Sequence, residues 1–305
     1  MTPIVFGFPG HEELARVLVE RLGASSGELV LHRFPDEERY VRLATPVAGR
    51  AVVLACGLHR ADEKLLPLVF AAAAARELGA ASVGIVAPYL GYLRQDARFR
   101  TGEAITSATF AKILSGFADW LVTVDPHLHR YRALDEIYSL RASVVRAAPA
   151  ISRWIRENVS EPLIVGPDSE SGQWAAEIAR RAGAPYVVLE KVRRGDLEVE
   201  VSVPRIDALH ARTAVLVDDI ISSGRTMIAA VSQLRRSGAR APVCVGVHAI
   251  FAGDAREALE AAGAGRIATC NTVTHPTNAI DLNGLIAGAV QDYVVGKALS
   301  TAGSR

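Results

Sequence analysis

Between Val215 and Thr226 the chain reads Val-Leu-Val-Asp-Asp-Ile-Ile-Ser-Ser-Gly-Arg-Thr. An apolar run that predicts a strand delivers two adjacent carboxylates, Asp218 and Asp219, and a hydroxyl-rich loop then opens a predicted helix. Backbone N–H groups at such a helix start attract an anion, and Ser222, Ser223 and Thr226 add hydroxyls. Carboxylates accept hydrogen bonds from sugar hydroxyls or meet a metal ion. A phosphate site beside an acidic diol site suits a sugar phosphate. The plainer alternative is an ordinary strand-to-helix turn with Ser222 or Ser223 as N-cap, but a cap alone does not call for Asp-Asp.

Lysine is rare: it stands only at 64, 112, 191 and 297, and the other basic residues are arginine. A lysine is therefore informative here. In Glu190-Lys191-Val192-Arg193-Arg194 a compact ammonium stands among guanidinium groups. It offers a point charge where a planar fork fits differently. The alternative is a solvated charged loop.

These residues need a frame. Apolar runs alternate with amphipathic, helix-length segments along the whole chain. Ile4–Phe8, Ala51–Cys56, Ser82–Pro88 and Trp120–Asp125 predict strands, with helices over His11–Leu22, Asp62–Leu78 and Thr106–Leu114. Leu29–Phe34 and Arg39–Leu43 predict a strand pair around the acidic turn Pro35–Glu38. Ser143–Asn158 reads as a helix, and the strand–helix rhythm then repeats through Thr213–Asp218, Gly224–Ser237 and Pro242–Phe251. Such alternation predicts an α/β fold of two tandem doubly wound domains with mostly parallel sheets, 1–140 and 141–305. Ligands then collect at the carboxyl ends of strands.

The acidic loop resembles the phosphoribosyl-diphosphate loop of type I phosphoribosyltransferases and ribose-phosphate diphosphokinases, and the flanks choose between them. Phe34-Pro35-Asp36-Glu37-Glu38 resembles the Phe-x-Asp-Gly-Glu turn of the diphosphokinases. Pro88 to Asp96 resembles their Pro-Tyr-x-Gly-Tyr-x-Arg-Gln-Asp signature, and Asp125-Pro126-His127 their Asp-x-His segment. Pro167-Asp168 and Lys191-Val192-Arg193 resemble two further segments, all in family order. The chain is identified as a member of that family, closer to the archaeal-type members. The resemblance implies domains of the type I phosphoribosyltransferase kind.

It also implies the reaction: transfer of the diphosphoryl group of ATP to the anomeric hydroxyl of ribose 5-phosphate, with Mg²⁺, giving AMP and phosphoribosyl diphosphate. Asp218 and Asp219 would hold the ribose hydroxyls, and Ser222, Ser223, Gly224, Arg225 and Thr226 the 5-phosphate. His127 and Asp168 would hold Mg²⁺. Lys191 and Arg193 would be catalytic. Arg94, Gln95, Asp96 and Arg98 would bind ATP, completed by Phe34, Asp36 and Glu38 from a neighbouring subunit of a homo-oligomer. Two departures stand out: Arg225 replaces the second glycine of the phosphate loop, and Glu170 stands where a glycine follows Asp168. They keep open a nucleotide-binding regulatory homologue without turnover, or a transferase or diphosphokinase with an altered substrate.

Composition sets outer bounds. Of 305 residues, half are hydrophobic and 22% charged, which excludes a disordered chain. A net charge of +1 speaks against non-specific nucleic-acid binding. The longest apolar run, Leu65–Ala75, spans eleven residues, too few for a membrane helix. Three scattered cysteines make neither a disulfide frame nor a zinc site. With no basic region before an apolar stretch at Met1-Thr2-Pro3-Ile4, no signal peptide is expected, and the expected place is the cytoplasm.

Overall fold

The computed structural model describes residues 1–194, 198–202 and 211–294, with the backbone alone for 190–194 and 198–202. The chain forms two compact units, one of residues 1–145 joined by the described residues from Asn283 onward, the other of 146–282.

In the first unit, β1 (Ile4–Gly7), β2 (Ser25–Gly27), β5 (Ala51–Ala55), β6 (Ser82–Ala87), β7 (Trp120–Val124) and β8 (Arg141–Val145) form one sheet in the order β2-β1-β5-β6-β7-β8. Every pair is parallel. Helices α1 (Glu12–Leu22), α2 (Ala61–Glu77) and α3 (Thr106–Phe117) connect the strands. The predicted spacing in α1 is real: Leu14, Leu18 and Leu22 are its buried residues. Burying each contributes about 1.5–3 kcal/mol. A separate antiparallel hairpin, β3 (Leu29–Arg33) and β4 (Arg39–Leu43), carries the acidic turn, as expected. Glycine is required at Gly84, which pairs with Trp120 across β6 and β7; a Cβ there would enter the indole ring.

The second unit repeats the plan. It contains α4 (Ala148–Asn158), β9 (Pro162–Gly166), α5 (Gly172–Ala182), β10 (Tyr186–Val188), β11 (Glu190–Arg194), β12 (Glu198–Ser202), β13 (Thr213–Ile221), α6 (Arg225–Arg236), β14 (Val243–Ala249), α7 (Ala255–Ala261), β15 (Arg266–Cys270) and β16 (Asn278–Ile280). Its sheet runs β10-β9-β13-β14-β15-β16, again all parallel, while β11 and β12 pair antiparallel beside it in sequence. Strand for strand, this order matches that of the first sheet. The fold is α/β, two doubly wound domains with parallel sheets.

Two expectations are corrected. Residues 143–158 are not one helix: 141–145 form β8 and the helix begins at Ala148. Val144 and Val145 pair with Thr123 and Val124, and Pro149, in the first turn, suits a helix start rather than an interior. A single cut at 140/141 also fails, because α8 (Asn283–Val294) belongs to the first unit, where it packs on α1. Its Tyr293 stacks on Trp120 with ring centres 4.8 Å apart, hydrogen-bonds Ser143 at 2.8 Å and lies under Arg141.

The apolar run at 65–75 lies in α2, and no helix among the described residues is long and apolar enough to cross a membrane. All three cysteines are free and buried.

Candidate functional site

The acidic pair sits inside β13, which runs on to Ile221 instead of stopping at Asp218. Pairing with β14 carries the extension, Ile220 opposite His248 and Ile221 opposite Ala249. Asp219 N–H donates to Asp218 Oδ1 at 2.9 Å. Burial, then the charge of Asp219, then that of Asp168, hold the Asp218 carboxyl well above the usual carboxylate range. Three acids thus share one field at the carboxyl ends of β9 and β13, where a cation or a set of hydroxyl donors would relieve them.

The loop that follows is braced from behind: Phe251 N–H donates to Ile221 O and Ala252 N–H to Ser222 O. Gly224, at φ +67°, is the N-cap of α6 and has no side chain to cap it. The N-cap position is thus held by Gly224 and not by Ser222 or Ser223, and the start of α6 directs its first N–H groups toward the loop, a setting that favours an anion. Glycine stands at the single loop position with positive φ. Arg225 is the first helical residue, exposed and outside the left-handed region, so its side chain strains nothing.

Asp168 follows β9 and caps a short 3₁₀ turn, Ser169–Ser171. Its Oδ1 accepts from Ser171 N–H at 3.2 Å, and Ser171 Oγ donates back to Asp168 O at 2.6 Å. This reciprocal cap fixes the carboxylate. Glu170 lies exposed in that turn, again without positive φ. Lys191 and Arg193 are on β11, Lys191 opposite Val201; their side chains lie outside the described residues.

In the first unit the sequence-predicted residues fall in three places. His127 follows β7 and packs edge-on against His129 with ring centres 4.2 Å apart. The turn into it passes through Asp125, buried and at φ +29°, a strained position for a residue with a Cβ.

The segment from Arg94 to Arg98 forms the second place. Arg94 and Arg98 are exposed and Gln95 is half-buried, whereas Asp96 is buried. Asp96 Oδ1 faces Arg130 at 3.4 Å, Oδ2 has no hydrogen-bond partner, and its backbone oxygen accepts from the Tyr131 hydroxyl at 3.3 Å. Arg98 Nε donates to Glu103 O at 2.9 Å. Asp96 thus anchors the segment, and the arginines are what it presents. The sequence reading missed Arg130 and Tyr131, which lie over thirty residues away and carry no spacing signal.

The third place is the hairpin tip. Phe34 is exposed and rests edge-on against His32. Asp36 Oδ1 accepts from Glu38 N–H at 3.3 Å, so Asp36 shapes the turn, and Glu37 at φ +75° closes it.

Among the described residues no three His, Cys, Asp or Glu side chains gather as a ready-made metal cage. Mg²⁺ does not require one, since it is usually held by one or two carboxylates together with substrate phosphates and water. A carboxylate fixed by its own cap beside a like-charged pair fits that role.

Comparison with known proteins converges on one answer. Residues 4–117 match the N-terminal domain of ribose phosphate pyrophosphokinase, and residues 133–283 match the phosphoribosyl transferase domain. A ribose-phosphate pyrophosphokinase of Methanopyrus kandleri is 34% identical over 282 residues, 92% of this chain and 96% of that protein. The chain belongs to the ribose-phosphate pyrophosphokinase family. A second member, from Methanobrevibacter smithii, is 30% identical over 95% of this chain and 100% of its own. The archaeal character expected from the motifs agrees with these relatives. The crystal structure of phosphoribosylpyrophosphate synthetase from Mycobacterium smegmatis superimposes with a TM-score of 0.81 over 95% of this chain and 98% of its own, at 23% identity, and so shares the fold. This pyrophosphokinase is a transferase of nucleotide biosynthesis, and the activity of its family is synthesis of phosphoribosyl pyrophosphate.

Proposed function

We propose that this chain takes the diphosphoryl group from ATP, with Mg²⁺ present, and places it on the anomeric hydroxyl of ribose 5-phosphate. The observation that carries this reading is the β13–α6 loop: an acid pair followed by a helix start whose N-cap is glycine, at the loop's one left-handed position. The 5-phosphate would lie on the N–H groups and hydroxyls of Ser222–Thr226. Asp218 and Asp219 would accept hydrogen bonds from the ribose hydroxyls and hold the anomeric oxygen in line. That oxygen forms a bond to the β-phosphorus as the bond to the α–β bridging oxygen breaks. AMP leaves with the electron pair, and the hydroxyl proton passes to solvent.

Lys191 and Arg193 would neutralise charge on the moving diphosphoryl group, which is where this chemistry is accelerated. Arg94 and Arg98 would meet the triphosphate and Gln95 the adenine. Asp168, with His127, would hold Mg²⁺, whose contribution when bound is to neutralise phosphate charge. Phe34, Asp36 and Glu38 would complete the nucleotide site of a neighbouring copy, so the active form would be a homo-oligomer. The regulatory and altered-substrate readings rested on Glu170 and Arg225. Both residues take ordinary backbone conformations, so neither strains its turn.

The test is AMP release from ATP and Mg²⁺ with and without ribose 5-phosphate. AMP formed only with the sugar phosphate supports the reading. A folded protein that binds ATP yet releases no AMP overturns it in favour of a regulatory homologue. Sedimentation that finds an active monomer removes the shared nucleotide site.

A further inference from the structure

Lys64, the second of the informative lysines, has no place in that reaction, and its surroundings are unusual. It stands in the first turns of α2, half-buried. Its Nζ donates to Gly57 O at 2.8 Å and lies 3.2 Å from both ring nitrogens of His59. A neutral imidazole has one lone pair to offer, and an ammonium has three N–H groups. One N–H therefore stays uncommitted, and Lys64 makes no ion pair with any described residue.

Behind it, His11 Nε2 accepts from Gly57 N–H at 2.8 Å, and a Cβ on Gly57 would run into that ring. The nearby charges are of both signs. Arg60 joins Lys64 around His59; Glu12 next to His11 and Glu63 next to Lys64 are the acids.

Lys64 lines a cavity of about 380 Å³ between the β3–β4 hairpin and α2. Arg39 lines the same cavity, and its guanidinium makes no hydrogen bond or ion pair with any described residue. Arg33, also in the wall, is neutralised by Glu37 at 2.8 Å. Glu63 is the one acid in the lining. The remaining wall is flat and apolar: His32 stacked on Tyr40 with centres 4.6 Å apart, with Phe8 and Pro67.

We propose that this cavity binds a small molecule bearing a phosphate or carboxylate group, the oxyanion held between Lys64 Nζ and the Arg39 guanidinium and its apolar body against His32 and Tyr40. Two half-buried cations that form no ion pair with a described carboxylate are costly to keep and are satisfied by one bridging anion. The site lies wholly within the first unit and does not depend on the phosphate loop.

Phenyl phosphate and inorganic phosphate are suitable probes, read by NMR of protein labelled at histidine Cε1. With eight histidines in the chain the signals are separable, and His59→Gln and His32→Gln assign theirs by loss. Phenyl phosphate is expected to shift the His59 and His32 signals saturably at neutral pH, and more tightly than phosphate. Lys64→Met and Arg39→Gln should each weaken that binding at least tenfold, and Glu63→Gln should tighten it. Arg39 is partly exposed on the hairpin, so Arg39→Gln serves even if Lys64→Met fails to fold. The proposal is overturned if His59 and His32 stay still while other histidines respond, or if folded Lys64→Met or Arg39→Gln protein binds as the parent does.

Discussion

Asp218 works against the stability of the free protein. Its carboxyl holds a proton more tightly when folded than when unfolded, because burial and two neighbouring acids oppose its charge. The native state then binds more protons than the unfolded state between the ordinary aspartate range and the raised value, so stability falls as pH rises through that window. Asp218→Asn removes the penalty. Its melting temperature should lie above that of the parent at pH 8 and converge with it near pH 4, while turnover drops by at least a hundredfold with loss of the ribose contact. An Asn variant that melts at the same temperature as the parent at both pH values would show that the acid pair is not strained. At Arg225 the outcome should be the opposite in kind. Because the residue is an exposed helix start without strain, Arg225→Gly should leave kcat within about threefold and cost roughly 0.5–1 kcal/mol, readable by urea unfolding.

The elements show what could be read from one sequence. The strands from Ala51, Ser82, Trp120 and Thr213 were legible because each is an apolar run of strand length with turn residues behind it, and parallel sheets bury such runs on both faces. The 143–158 segment reads as one helix because only Arg146, a residue that helices accept, lies between Val144-Val145 and the amphipathic stretch. Only pairing with β7 separates strand from helix, and that is a long-range fact. The acid pair and the phosphate loop were legible from residue types in order. The clamp of Arg130 and Tyr131 on Asp96 was not, because nothing local encodes it. The His11 ring is another such long-range feature, joining the start of α1 to the end of β5 through Gly57. Burial, then the charge of Lys64, pull its pKa down to about 4. A folded value below the unfolded one means that the unfolded state takes up the proton first. Stability is therefore lost as pH falls from about 6.5 to about 4, by up to about 3 kcal/mol. His59 is pulled down to about 4 in the same way, by burial and then by Lys64, and adds to the slope; urea unfolding of the parent should show it, and His11→Gln should reduce it by about half.

At the scale of the whole chain, the path of the last helix matters most. The second unit interrupts the first: α8 follows it in sequence but completes the earlier sheet, beside α1 and over β7 and β8. Tyr293 is the pin, with its ring flat on Trp120, its hydroxyl on Ser143 and Arg141 across its other side. The aromatic pair alone contributes about 0.5–1.5 kcal/mol beyond the area it buries. A chain ending at Leu282 keeps every strand of both sheets, yet should lose the first unit. Trp120 reports on it directly. With Trp154 and Trp174 replaced by Phe, the emission of the full-length chain should follow the main unfolding transition, and that of the truncated chain should be red-shifted already in buffer. Tyr293→Ala should destabilise by roughly 3 kcal/mol and Tyr293→Phe, which keeps the ring and loses the Ser143 bond, by about 1 kcal/mol. Truncated protein with native Trp120 emission and an unchanged midpoint would mean that α8 is an accessory. The opposite result makes the second unit an insertion whose folding must return the chain to the first.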